Sequence, residues 1–178
     1  MAGGKPSAKQ KIAGVVLAGG RSSRMGQDKA VLPFQGRPMI DHMVDLLHEA
    51  GCEAVFISGQ RKGYPCIPDS APYQGPAVAM RHVLHTLVGY QGVLFVPVDM
   101  PLLTAGFLQQ LLMQRRGAFF KDWPLPACIM NPCPLSEEIS VQGFLADIGL
   151  PSIPCPENAD KLFMNLNTPD DWKKAVKK

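Results

Sequence analysis

The stretch Leu17-Ala18-Gly19-Gly20-Arg21-Ser22-Ser23-Arg24-Met25-Gly26-Gln27-Asp28-Lys29 gathers the residue types that polyphosphate chemistry needs. It follows the apolar run Ile12-Ala13-Gly14-Val15-Val16, whose pattern predicts a buried β-strand. Small residues at a strand end leave no Cβ in the way, so backbone N–H groups can approach an anion closely. Arg21, Arg24 and Lys29 follow and can balance its charge. The spacing matches neither G-x-x-x-x-G-K-[ST] nor G-x-G-x-x-G, which argues against a P-loop nucleotidase and a dinucleotide dehydrogenase. Taken alone, Lys29 and Arg24 are either phosphate ligands or solvated loop charges.

Other polar residues stand where predicted strands end. Asp99 follows the run Val93-Leu94-Phe95-Val96-Pro97-Val98. A carboxylate there can hold magnesium, which takes hard oxygen ligands and keeps much of its shell for substrate phosphates. It can equally be a solvated loop acid or a helix cap. Asn165 and Asn167 close a late apolar segment. On a strand they would share one face, where their amides could orient a metal ion or a phosphate, or serve as turn residues before Thr168. Asp69, in Ile67-Pro68-Asp69-Ser70, is a turn aspartate or an acceptor for a base or sugar edge. Ser58 and Gln60 follow the second predicted strand.

The elements that must position these residues alternate. Pro38 to Ala50 has helical apolar spacing closed by Gly51. Ala54 to Ile57 reads as a strand, Pro76 to Val88 as a helix and Gly92 to Val98 as a strand. Thr104 is placed to cap a third helix that Gly117 ends. Three strand–helix repeats predict an α/β fold with a mostly parallel sheet between two helical layers, and ligands then bind at the C-terminal strand ends. Further on, Phe119-Phe120 and Ala127 to Met130 read as short strands and Ser140 to Ile148 as a helix. Leu162 to Leu166 reads as a strand, and Thr168-Pro169 as the opening of a terminal helix.

The 178 residues suit one domain, expected over residues 12–178 behind a flexible tail at 1–11. The net charge of +3 gathers at the lysine-rich ends, so no basic stripe for nucleic acid is expected. No segment is long and apolar enough to span a membrane, and no signal-peptide core is evident, which points to the cytoplasm. Five cysteines without a C-x-x-C pair predict buried free thiols. His82 and His85 could share a helix face, but no thiolate or carboxylate pattern accompanies them.

Three segments together resemble the signatures of the molybdenum cofactor guanylyltransferases: Leu17 to Lys29, Val96-Pro97-Val98-Asp99-Met100-Pro101 and Asn165-Leu166-Asn167-Thr168-Pro169. The similarity runs in order from Ile12 to Trp172. It implies a three-layer, Rossmann-like nucleotidyltransferase fold of the GT-A type. It implies transfer of GMP from GTP to molybdopterin, with magnesium as cofactor and pyrophosphate released. By the resemblance, Leu17, Ala18, Gly19 and Gly20 wrap the nucleotide and Lys29, assisted by Arg24, holds its phosphates. Asp69 contacts the guanine and Asp99 binds the metal. Asn165, Asn167 and Gly75 lie on the acceptor side.

A sister group that transfers cytidylyl has alanine where this chain has Gly19, and the extra room favours a purine. The chain departs from the family at Gly75-Pro76-Ala77-Val78-Ala79, where Gly-Pro-Leu-Ala-Gly is usual, and in its short, arginine-poor region between Gly117 and Leu162. The alternatives are a nucleotidyltransferase using CTP or a sugar-phosphate acceptor, and a non-catalytic nucleotide-binding adaptor that delivers cofactor to a partner enzyme.

Overall fold

The structure is a computed structural model describing residues 10–19, 28–68, 75–157, 159–166 and 171. Its centre is a seven-stranded sheet ordered β5-β4-β1-β6-β8-β7-β9. The strands are β1 (Ile12–Leu17), β4 (Ala54–Ser58), β5 (Cys66–Ile67), β6 (Gly92–Pro97), β7 (Gly117–Phe120), β8 (Trp123–Met130) and β9 (Ser152–Ile153). A small hairpin, β2 (Pro33–Phe34) and β3 (Arg37–Pro38), stands apart. Its two-residue turn, Gln35-Gly36, has φ of 51° and 82°, matching the twist that a tight hairpin needs.

β1 pairs parallel with both β4 and β6, so the expected parallel core is present. β8 runs antiparallel to β6 and β7 and is the one reversed strand of this sheet. Side-chain alternation splits the core into two layers. Val16, Leu94 and Val96 face α1 (Met39–Ala50) and α3 (Ala105–Leu112) on one side. Val15, Val93 and Phe95 face α2 (Pro76–Thr86) and α4 (Val141–Asp147) on the other. Helix ends follow the expected chemistry. Gly51, with φ of 110°, closes α1, and the Thr104 hydroxyl accepts from Phe107 N at 3.3 Å.

Two expectations are corrected. α3 stops at Leu112, not at Gly117; successive turns through Gln114 carry the chain to Gly117, which opens β7. Leu162 to Leu166 is no strand. The chain there makes a 3-10 turn at Ala159–Lys161 and then an irregular segment. The buried residues are Phe163 and Leu166, three apart, a turn-like spacing that the intervening Met164 disguised as alternation. Two-residue strands such as β5 and β9 are too short to leave a periodic signal. The terminal helix expected from Thr168 lies outside the described residues except for Asp171.

Gly117 has φ of 73°, and a Cβ there would stand 2.3 Å from the carbonyl oxygen of Cys128. That backbone belongs to the paired strand and cannot yield. Gly117→Ala is therefore expected to destabilise the fold by ~3 kcal/mol or more, read as a lower denaturant midpoint.

All five cysteines are free, and Cys52 and Cys128 are buried. Burial pushes both thiols up to about 12. In the unfolded chain they ionise from about pH 9, while the fold keeps them protonated until about 12. Stability should fall as pH rises across that window, because the unfolded state releases protons that the folded state retains. Denaturant titrations at rising pH should show the decline, and a Cys52→Ala/Cys128→Ala variant should flatten it.

Candidate active site

β1 leads out to β4 and β5 on one side, and the chain then returns through α2 to β6 on the other side of β1. This reversal opens a crevice beyond the ends of β1 and β6, the place where open α/β sheets bind ligands. Register pairs Leu17 with Pro97, and Val98 N donates to Leu17 O at 3.2 Å. The glycine-bearing loop and the Asp99 loop therefore leave the sheet side by side.

A cavity of about 350 Å³ occupies the crevice. Its lining includes Leu17, Ala18, Gly19, Asp28, Lys29, Pro76, Asp99, Leu125 and Asn165. Six residues predicted from sequence thus converge: Leu17, Ala18, Gly19, Lys29, Asp99 and Asn165. Gly75 directly precedes Pro76 and has φ of 98°, setting the entry into α2 from outside the cavity lining. Gly20, Arg24, Asp69 and Asn167 lie outside the described residues.

Lys29 Nζ donates to Asp99 Oδ2 at 2.8 Å across 70 residues of sequence. The side chains are 16% and 21% exposed, so solvent screens this pair less than a surface bridge. Local chemistry places Lys29. Asp28 caps the 3-10 turn Lys29–Val31, its Oδ1 accepting from Ala30 N at 3.1 Å. The Asp99 loop is braced from outside the sheet. Leu166 N donates to Asp99 O at 2.9 Å, which brings Asn165 to the cavity despite the missing strand. His42 Nε2, on α1, lies 2.8 Å from Pro101 O, and its ring packs against Phe34 with centroids 4.8 Å apart.

Sequence reasoning had no reason to select His42 or Arg61. Arg61 sits after β4, with Nη2 2.7 Å from Asp28 Oδ2 and 3.4 Å from Ala18 O. Tyr64, in the same loop, donates its hydroxyl to Asp41 in the first turn of α1. That hydrogen bond, with burial and the Asp41 charge adding to it, raises the phenol to about 12. No sequence spacing signals contacts of this kind, because each is made by tertiary proximity alone.

Among the described residues, no group of three or more His, Cys, Asp or Glu side chains forms a metal cage. Among the described residues, His82 and His85 belong to no such group. Asp99 and Asn165 line the cavity together, and oxygen donors of this kind fit a hard cation that brings most of its ligands with it.

Comparison with known proteins gives the family. Residues 14–122 match the MobA-like NTP transferase domain. A molybdenum cofactor guanylyltransferase from Xanthomonas euvesicatoria pv. vesicatoria is 40% identical, the alignment covering 92% of this chain and 93% of that protein. Molybdopterin-guanine dinucleotide biosynthesis protein A from Archaeoglobus fulgidus superimposes with a TM-score of 0.71 at 18% identity, over 92% of this chain and 96% of that one. A manganese complex of Rv0371C from Mycobacterium tuberculosis H37Rv gives 0.62 at 15% identity, over 93% and 98%. The two structures share the fold. The domain match over most of the chain and the close relative along nearly all of it carry the assignment: the chain belongs to the MobA-like NTP transferase family, with the molybdenum cofactor guanylyltransferases.

Proposed function

We propose that this protein transfers GMP from GTP to molybdopterin, forming the guanine dinucleotide cofactor and pyrophosphate. The observation that carries the reading is the Lys29–Asp99 pair in the crevice between β1 and β6, fed by a glycine loop. One group supplies a cation for phosphate and the other an anion for metal. The relative that is 40% identical is named for this activity.

In the reaction, a phosphate oxygen of molybdopterin forms a bond to the α-phosphorus of GTP. The bond from the α-phosphorus to the α,β-bridging oxygen breaks, and pyrophosphate leaves with that electron pair. A phosphate monoester is mostly dianionic at neutral pH, its second pKa being about 6, so the nucleophile needs no general base. The absence of a histidine from the described cavity lining agrees with this.

The chain's own work is positioning and charge. Leu17, Ala18, Gly19 and Gly20 wrap the nucleotide, with Gly19 leaving room beside the base. Lys29 and Arg24 hold phosphates, and Asp69 accepts from the guanine edge. Asn165, Asn167 and Gly75 border the acceptor. Asp99 would hold Mg2+, a choice in keeping with the manganese bound by a structural relative. Bound there, the ion would neutralise charge developing on the phosphates. The proposed setting is cytoplasmic. No described helix is long and apolar enough to cross a membrane.

Asp99→Asn keeps the shape of the side chain but removes its charge. GMP transfer, measured as pyrophosphate release from GTP and molybdopterin, should fall by about 10²-fold or more with little change in thermal stability. Wild-type turnover in this variant would end the metal assignment.

Lys29→Ala removes the cation proposed to hold phosphate. GTP affinity measured by calorimetry with magnesium should weaken roughly 10–100-fold, as loss of a charge-assisted hydrogen bond predicts. Unchanged affinity would count against the nucleotide site itself.

A further inference from the structure

We propose that Arg61 is a positioning residue for the nucleotide cavity, acting through Asp28 on the turn that carries Lys29. The inference rests on the assignment of this cavity to the nucleotide made above.

Asp28 is the hinge of the argument. Its Oδ1 accepts from Ala30 N at 3.1 Å and so shapes the turn beginning at Lys29. Its Oδ2 lies 2.7 Å from Arg61 Nη2. Both carboxylate oxygens are thereby committed, one to the turn and one to the guanidinium. Arg61 Nη2 also donates to Ala18 O at 3.4 Å. Ala18 and Asp28 flank the glycine- and arginine-bearing segment, and both line the cavity. One guanidinium therefore ties together the two ends of that segment.

Arg61 is itself anchored. Its N–H donates to Cys66 Sγ and the Cys66 thiol donates back to Arg61 O, each at 3.2 Å. These contacts fix the loop between β4 and β5 beneath the guanidinium. Arg61 Nε is buried without a hydrogen-bond partner among the described residues. An unsatisfied buried donor is unfavourable, so pairing of all its own donors does not account for where this side chain sits. Its contacts with Asp28 and Ala18 do.

Charge gives a second reason. A carboxylate lining a triphosphate site repels the ligand. Arg61 neutralises Asp28, which keeps the capping geometry that the turn needs without opposing the phosphates. Both contacts leave from one guanidinium nitrogen, Nη2, held in a rigid plane, whereas the flexible lysine ammonium loses more freedom to make them.

The test is a double-mutant cycle in GTP affinity, by calorimetry with magnesium, with thermal unfolding measured alongside. Arg61→Gln should raise Kd roughly tenfold at unchanged stoichiometry, and Arg61→Lys should recover part of the loss. Asp28→Asn retains the capping oxygen but loses the ion pair; in that background Arg61→Gln should change Kd less than about twofold. A purely structural role would lower the melting temperature and the fraction of molecules that bind, leaving Kd alone. If Arg61→Gln does not fold, Arg61→Met, which keeps the apolar stem and removes the charge, completes the same cycle. Full affinity in the Arg61 variants, or an equal loss with and without Asp28, overturns the inference. Such a result beside a weakened Lys29→Ala variant leaves the nucleotide site standing, whereas full affinity in Lys29→Ala removes the site assignment itself.

Discussion

Lys29 and Asp99 meet at 2.8 Å, and most of the fold around the crevice can be understood as what that contact requires. The lysine comes from a turn after the glycine loop, and the acid comes from the loop after β6. They can meet only if β1 and β6 are neighbours that end together, which the Leu17–Pro97 register ensures. They must also be held within a few tenths of an ångström, because a charge-assisted hydrogen bond weakens quickly with distance and angle. Asp28 sets the turn on one side, while Leu166 and His42 brace the backbone of the Asp99 loop on the other.

The rest of the scaffold supplies stiffness. α1 and α3 cover one face of the sheet, α2 and α4 the other, with interlocking side chains from alternate strand positions. Reversal of β8 changes the sheet past β6. Its first residues lie at the same edge as the crevice, which brings Leu125 into the cavity lining. The parallel half of the sheet thus builds the side proposed to take the nucleotide, and the antiparallel half begins the opposite wall. Behind that wall Trp123 stacks on Phe163 at 4.3 Å, and Phe163 meets Phe107 and Phe120 edge to face. This aromatic cluster anchors the segment that carries Asn165 and Leu166.

Much of this was legible in the chain itself. Long apolar runs broken by glycine announced β1, β4 and β6, and polar residues just past them marked the crevice. Lys29 and Asp99 could each be nominated, but their ion pair could not, because nothing in sequence spacing brings positions 29 and 99 together. Asn165 was found for a partly mistaken reason. The cavity position is real, yet a hydrogen bond from Leu166 to Asp99 creates it, not strand alternation. Arg61 and His42 were invisible because each matters only through a contact with a distant loop. A periodic pattern records which face of an element is buried; it carries no information about which backbone oxygen a side chain reaches.

The charge balance of the site bears on how the proposed reaction would depend on metal. Asp28 and Asp99 on one side and Lys29 and Arg61 on the other compensate one another within hydrogen-bonding distance. A polyanion gains little from these four described charges as they stand. In the proposed reaction a divalent cation arriving with the nucleotide would change this: Asp99 would hold the metal and Lys29 a phosphate, leaving neither charge buried alone. A cavity lined only by cations would take free polyphosphates as readily as the metal complex. In the proposed reaction, the ion pairs of the described residues that hold the loops in place would also favour the metal-bound nucleotide over the free polyphosphate.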